Sequence, residues 1–428
     1  MTMAMTENVG SKRQLPAGWR WVRLGDVCEI NPRRPEINRK DDRSTSFVQM
    51  SSVQEAGRGI ARIEEKPFST VCKGYTYFGE GDVLFAKITP CMQNGKHAIA
   101  RGLIDGIGFG STEFHVLRPR SEIISEWVHH FILQPWVLQN ATAHFSGAVG
   151  QQRVPEDYLA ELKVPLPSVP EQQRIAAILT EQMAAVDRAR AAAEAQLEAA
   201  KALPAAYLRD VFGMTTALLE NGASKRQLPA GWQWVPLGEI GPVTDGDWIL
   251  NSDYAPSGVR LLQVGDVGIG RFVDKSSRFI TENRARELNC TFLKAGDVLI
   301  SRMPDPIGRA CQLPDLNYPC ITAVDVSIWR PNDNVADRRY LVHYLNSPEW
   351  FSRVLSLASG ATRARISRSN LETLKILLPP LPEQTRIAAI LTKQVAAVDR
   401  AIVLLTTQRD TINALPATLL RQAFNGEL

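Results

Sequence analysis

The sequence predicts an α+β protein: two similar α/β domains joined by two long helices and laid out as an internal repeat. The first observation is the repeat itself. The stretch SKRQLPAGWRWVRLGD (Ser11–Asp26) returns as SKRQLPAGWQWVPLGE (Ser224–Glu239), with thirteen of sixteen positions identical. The stretch PEQQRIAAILTEQMAAVDRAR (Pro170–Arg190) returns as PEQTRIAAILTKQVAAVDRAI (Pro382–Ile402), with seventeen of twenty-one identical. Second, the inserts between these blocks keep their order of strand and helix patterns while their residues diverge. Third, each long helix carries a seven-residue apolar seam. A chain that repeats its framework and varies its inserts builds one scaffold with two unlike heads. Such a scaffold suits two unlike targets held at a fixed separation.

Length and composition are compatible with this. A chain of 428 residues falls in the range of two to three domains, and each half is long enough to bury its own core. We place the boundaries at 1–167 and 223–379 for the heads, with helical regions at 168–222 and 380–428. A hydrophobic share of 44% and a net charge of +4 permit a nucleic-acid partner without establishing one. The six cysteines form no CxxC pair, which fits reduced thiols of a cytoplasmic protein. No apolar run approaches a membrane span, and the opening MTMAMTENVGSKR lacks the features of a signal peptide.

Along the first insert, FVQMSSV (Phe47–Val53), GDVLFAKI (Gly81–Ile88) and TEFHVLRP (Thr112–Pro119) read as strands. The block Ser125–Phe145 has helical spacing, and Pro135 should kink or split it. The second insert repeats the order: GDVLISRM (Gly296–Met303), DVSIWRP (Asp325–Pro331), then Arg338–Ala358 with Pro348 in the matching place. Pro170 and Pro382 stand where helices begin, each followed by a glutamate suited to the positive helix end. The helices are expected over 171–203 and 383–415, with Pro204 and Pro416 kinking or breaking them. At 1.5 Å per residue, each rod measures roughly 50 Å, the rise of about 15 base pairs.

The seam runs through Ile175, Leu179, Gln182 and Val186 in the first rod and Ile387, Leu391, Gln394 and Val398 in the second. It continues in alternating steps of three and four to Leu203 and Leu415. Ala193 and Ala200 in one seam answer Leu405 and Ile412 in the other, small against large, as suits two rods of one chain packing together. The alternative is that each rod packs on its neighbouring head.

No catalytic set stands out. There is no GxxxxGK[ST] loop and no HExxH, and the six histidines lack metal-ligand spacing. Asp157, Glu161 and Lys163 sketch a nuclease-like trio, but Glu161 becomes Thr373 in the second copy. We therefore assign no catalytic residue and no metal. What remains are basic, Gly-flanked loops at equivalent places in both copies, with different residues. In the first copy they offer Lys87, Thr89, Gln93, Asn94 and Lys96, then Gln151, Gln152 and Arg153. In the second they offer Arg302 and Arg309, then Arg363, Arg365 and Arg368. Gln and Asn can pair adenine edges, and Arg and Lys can pair guanine or hold phosphate.

With these residues in view, the chain resembles the specificity subunit of a type I restriction–modification system. The resemblance rests on LPxGWxWVxLG opening both halves, on GDVLFAKITPCMQNGK (Gly81–Lys96), and on LPxxPEQxRIAAIL at each long helix. It implies two target recognition domains, two long antiparallel coiled-coil helices acting as a ruler, and a pseudo-twofold frame. It further implies double-stranded DNA with an asymmetric split site, two modification subunits, and restriction subunits that translocate and cut. S-adenosylmethionine would serve the modification partner and ATP with Mg²⁺ the restriction partner; this chain would bind no cofactor and do no chemistry. The second insert departs from the KITPxxxNGK wording, which weakens the transfer of base-reading roles there. Two other readings stay open: a stand-alone two-headed DNA-binding regulator, and a fused methyltransferase–specificity chain.

Overall fold

A computed structural model of the chain describes residues 15–148, 151–220, 228–360 and 364–428. The chain divides into two compact units, Met1–Ala193 with Gln408–Leu428, and Glu194–Thr407. Each unit holds one head, the opening of one long helix and the closing stretch of the other.

In the first unit, β1 (Arg20–Arg23) leads through the short helix α1 (Leu24–Val27) to β2 (Cys28–Ile30) and β3 (Ser44–Val48). There follow β4 (Glu64–Pro67), α2 (Phe68–Val71), β5 (Thr76–Gly79), β6 (Val83–Ala86), β7 (His97–Ile99), β8 (Ile107–Gly110) and β9 (Phe114–Pro119). Helices α3 (Ser125–Ile132), α4 (Pro135–Ala143) and α5 (Glu156–Glu161) come next, then β10 (Lys163–Leu166) and the long helix α6 (Val169–Glu220). One sheet runs β2-β9-β6-β7, a second β4-β3-β8-β5, and β1 pairs β10. Val83 and Phe85 of β6 enter the core shared with α3, while Leu84 between them enters the core shared with the second sheet. The two-residue period thus divides one strand between two cores, which is why VLFA reads as continuously apolar.

The second unit repeats this plan. The strands are β11 (Gln233–Pro236), β12 (Val243–Asp245), β13 (Tyr254–Ala255), β14 (Val259–Leu262), β15 (Arg278–Ile280), β16 (Val298–Ser301), β17 (Ala310–Gln312), β18 (Cys320–Thr322), β19 (Val326–Trp329) and β20 (Lys375–Leu378). The helices are α7 (Leu237–Ile240), α8 (Glu282–Glu287), α9 (Arg338–Tyr344), α10 (Pro348–Leu357), α11 (Arg368–Thr373) and α12 (Leu381–Phe424). Sheet β12-β19-β16-β17 matches β2-β9-β6-β7 strand for strand, and β11 pairs β20 as β1 pairs β10. The parallel pair β3–β8 recurs as β14–β18. The copies differ at the edge of this sheet, where β5 lies beyond β8 in one and β13 beyond β15 in the other.

Two repeated words turn out to be clamps. Asp82 of the first GD accepts two bonds from Arg118, at 2.9 and 2.7 Å, and Asp297 of the second accepts two from Arg330, both at 2.9 Å. Gln172 of the first PEQ accepts from the Ile124 amide and donates to the carbonyls of Glu122 and Pro167. Gln384 of the second does the same with the Asp337 amide and the carbonyls of Val335 and Pro379. Each glutamine ties the first turn of a long helix to the segment that leads into α3 or α9.

Pro135 and Pro348 split their helical blocks as their chemistry requires, each becoming the first residue of a new helix. The strand expected over Phe47–Val53 ends at Val48, where a 3₁₀ turn over Met50–Ser52 takes over. Pro204 and Pro416 need a correction: neither ends its helix. An internal proline removes one backbone bond and costs about 3 kcal/mol. Burial beyond it offsets that cost: Leu208 and Phe212 join the main core of the second unit, and Leu420, Ala423 and Phe424 that of the first.

The seam residues Ile175, Leu179, Val186, Ile387, Leu391 and Val398 are buried, and Gln182 and Gln394 are half-buried. The Gln182 Oε1 atom has no hydrogen-bond partner. Further along, the seam positions Ala193 and Ala200 stay buried and Leu197, Leu208 and Phe212 join the buried stripe, while Leu203 and Leu415, also expected in the seam, are each 39% exposed. A straight α-helix drifts by ~20° per heptad against a strict seven-residue repeat, which moves these positions off the buried face. Within the first unit the helices run antiparallel: Arg174 bonds the carbonyl of Leu428, and Arg190 bonds Asn413.

Four buried histidines separate the units in their response to acid. Burial pushes His97 and His130 down to about 3, and His129 and His115 also lie below their usual range through burial. The Nδ1 atom of His97 accepts the Ala86 amide at 3.2 Å, so a proton placed there displaces a backbone bond. The second unit has only His343, pushed down to about 4. A folded-state value below the unfolded one means that stability is lost as pH falls below ~6.5, by about 1.4 kcal/mol per unit and per histidine until the folded value is reached. At pH 5 His97 and His130 together cost the first unit about 4 kcal/mol, against about 2 for His343. Hydrogen exchange on the full chain, corrected for intrinsic rates, should show β6, β7 and α3 opening at about pH 5 before the second unit does. Equal protection in both units at that pH would contradict this assignment.

Candidate nucleic-acid interface

The site begins where the central strand of each head ends. After β6 the chain passes Lys87, and after β16 it passes Arg302. The amide of Lys87 bonds the carbonyl of Glu113 at 2.9 Å, and the amide of Arg302 bonds that of Asp325 at 2.9 Å. The loop after the Ser-Gly-Ala word then returns alongside: the Val154 amide bonds the Lys87 carbonyl, and the Ile366 amide bonds the Arg302 carbonyl. Arg153 is bridged to Ser146, and Arg365 to Ser359, in both cases by a reciprocal pair of backbone bonds.

This brings an arginine against a carboxylate in each head. Arg153 donates to both carboxylate oxygens of Glu113, at 2.8 and 2.7 Å, and to the carbonyl of Gln151. The Arg153 bond, with Lys87 adding its charge, holds the Glu113 carboxyl below its usual range. Arg365 pairs with Asp325 at 3.1 Å and donates to the carbonyl of Val324, while its Nε atom is buried without a partner. The two-pronged pairing fixes the orientation of the Arg153 guanidinium before any ligand arrives, whereas Arg365 is held by one carboxylate contact and the Val324 carbonyl.

The structure gathers Lys87, Thr89, Gln151, Gln152 and Arg153 in one place, with the Thr89 amide bonded to the Gln152 carbonyl. Gln93 and Asn94 lie on the adjoining exposed turn. Gln93 accepts the Thr89 hydroxyl at 2.8 Å, and Asn94 donates to Glu55 at 2.8 Å. Lys96 is half-buried at the end of that turn.

In the second head the expected cations divide. Arg368 is exposed on α11, 3.6 Å from Glu372. Arg302 and Arg309 are only 7% and 8% exposed. Arg302 is tied to Asp245 at 2.6 Å and to the carbonyls of Ile366 and Val324. Arg309 donates to the carbonyls of Val267, Val264, Pro306 and Met303. In the free chain these two guanidiniums brace converging loops instead of facing solvent. Arg363 lies outside the described residues.

Sequence reasoning missed Glu113 and Asp325. A signal was present: each acid precedes its arginine by 40 residues, 113 to 153 and 325 to 365. It also missed Asn31, whose amide group reaches Glu156 at 2.6 Å and the ring of His115 at 3.0 Å beside the first slot. Among the described residues no group of three His, Cys, Asp or Glu side chains is placed to hold a metal ion, and no helix is long and apolar enough to cross a membrane.

Comparison with known proteins covers both halves. Residues 16–199 and 229–413 each match the type I restriction modification DNA specificity domain. The chain is similar to the EcoAI type I restriction enzyme specificity subunit of Escherichia coli, 25% identical across 96% of this chain and 83% of that protein. Its fold is similar to the HsdS subunit of Thermoanaerobacter tengcongensis, with a TM-score of 0.63 and 25% identity over 98% of this chain and 99% of that one. A solved chain from work on complex assembly and conformational transition of the type I R-M system superposes with a TM-score of 0.76, at 25% identity over 97% of this chain and 100% of that one.

Proposed function

Because the chain belongs to the type I restriction–modification DNA specificity family, we propose that its two heads read the two halves of one asymmetric, split DNA site. The observation that carries this is the matched slot. Arg153 with Glu113 and Arg365 with Asp325 occupy the same place in two heads whose surrounding loop residues differ. A common frame with unlike readers is what two different half-sites need. In the first head we assign Arg153, Gln151, Gln152, Gln93, Asn94 and Thr89 to base edges or adjoining phosphates, with Lys87 and Lys96 supplying positive charge. In the second we assign Arg365 and Arg368, with Arg302 and Arg309 shaping the loops that present them.

The chain itself then does no covalent chemistry and holds no cofactor. Two modification subunits docked on the long helices would methylate adenine with S-adenosylmethionine, and restriction subunits would use ATP and Mg²⁺. The same reading places the chain in the cytoplasm, with access to the chromosome.

Single-molecule methylation sequencing of the host genome, with and without this gene, tests the proposal. Deletion should abolish methylation at one split, asymmetric adenine motif and leave other motifs unchanged. An unchanged methylome, from a chain that copurifies with no methyltransferase, would point instead to a two-headed regulator.

A further inference from the structure

We propose that the loop Asp247–Leu250 is a second DNA contact of the second head, with Trp248 as an aromatic wedge set against a base step of its half-site. This deepens the reading above and rests on it. Trp248 is 72% exposed and Leu250 62%, whereas Ile249 between them packs on the core of Val259, Leu261, Ile280, Ala285 and Ile321. The middle residue thus anchors the loop while its neighbours project. The backbone is equally fixed: the Asp247 amide bonds the Thr322 carbonyl at 2.7 Å, and its carbonyl accepts the Val324 amide at 3.0 Å. The Thr291 amide bonds both Asp247 carboxylate oxygens, at 3.2 and 3.1 Å. An indole left 72% exposed on a tethered backbone contributes little packing within this unit.

Its place indicates the partner. The Val324 carbonyl accepts from both Arg302 and Arg365, at 3.3 Å each, so one residue joins the prong to the arginine slot. The apolar projection is two side chains wide and is flanked by Asp247 and Asn251, a size that fits one base step and not a broad protein interface. In the first head the loop leaving the matching edge strand β2 carries exposed Arg33 and Arg34. The same loop therefore offers guanidiniums for phosphates in one head and an apolar wedge in the other. Apolar side chains set between base steps unstack and bend duplex DNA, and the bend lets the protein cover more of it.

The test uses the full chain to select duplexes from a randomised pool. Failure to enrich any motif would overturn the DNA reading itself and the wedge with it. On a selected duplex, Trp248→Ala is expected to weaken binding about 10-fold or more, ~1.4 kcal/mol. The salt dependence should be unchanged, because no phosphate contact is lost. Trp248→Phe keeps an aromatic face and should stay within about 3-fold of wild type. With 2-aminopurine stepped through the second half-site, fluorescence should change at one step for wild type and at none for Trp248→Ala. Binding by Trp248→Ala within about 2-fold of wild type, or an equal loss in Trp248→Phe, would overturn the wedge while leaving the DNA reading intact.

Discussion

Truncation of Phe212 to alanine is expected to destabilise the second unit by about 3–5 kcal/mol, a large part of the stability of a domain this size. Its ring is almost fully buried and meets Tyr340 and Tyr344 edge-on, with centroids 5.7 and 5.1 Å away. It lies eight residues beyond Pro204, in the stretch whose burial offsets the backbone bond lost at the proline. Removing the ring loses its transfer energy and leaves a cavity among large rigid neighbours that collapse poorly. Phe424→Ala should act likewise on the first unit, where Phe424 meets Trp127 at 4.4 Å and Phe131 at 5.6 Å. Hydrogen exchange on the full chain resolves the two: each variant should expose its own unit first. A loss under about 1 kcal/mol in both would show that the tails beyond the prolines do not close the cores.

Replacing Arg153 by alanine is expected to relax one half-site and spare the other. A bidentate arginine-to-guanine pair carries about 1–3 kcal/mol of discrimination, or roughly 5- to 150-fold. Arg153 is already oriented by Glu113, so the loss is one of recognition and not of folding. Arg365→Ala should relax the opposite half-site. Glu113→Gln keeps the arginine but removes the charge that orients it, and should weaken the first half-site less than Arg153→Ala does. Methylation sequencing of hosts carrying each variant reads both halves at once. An unchanged motif in Arg153→Ala, or a change confined to the second half-site, would reject the assignment.

Much of the fold was legible in the sequence because the chain states its frame twice. The GDVL strands, the helix breaks at Pro135 and Pro348, and the starts of α6 and α12 follow from period, proline chemistry and repetition. What escaped was tertiary. Nothing local to Pro204 announces that Phe212 finds a core beyond it. The cations of SRMPDPIGR resemble any exposed loop, yet carbonyls from Val264 and Val267, some forty residues earlier, converge on Arg309. Gln172 and Gln384 stand in polar helix starts that suggest solvent, and only the folded chain brings Ile124 and Asp337 to them. The candidate interface was expected as a pair of loops in each head, and the fold brings those loops side by side. Glu113 and Asp325, the acids that hold its arginines, were passed over because they stand at the heads of runs that read as strands, TEFHVLRP and DVSIWRP, and only the folded chain brings them against Arg153 and Arg365.

In the proposed function each head reads its own half-site from a shared frame. The most direct test exchanges residues 27–163 for those of a relative with a known different motif and sequences the methylome of the host. A new split motif is expected, in which one half is the relative's and the other is unchanged. A chimaera that folds and methylates, but alters both halves or neither, would contradict it.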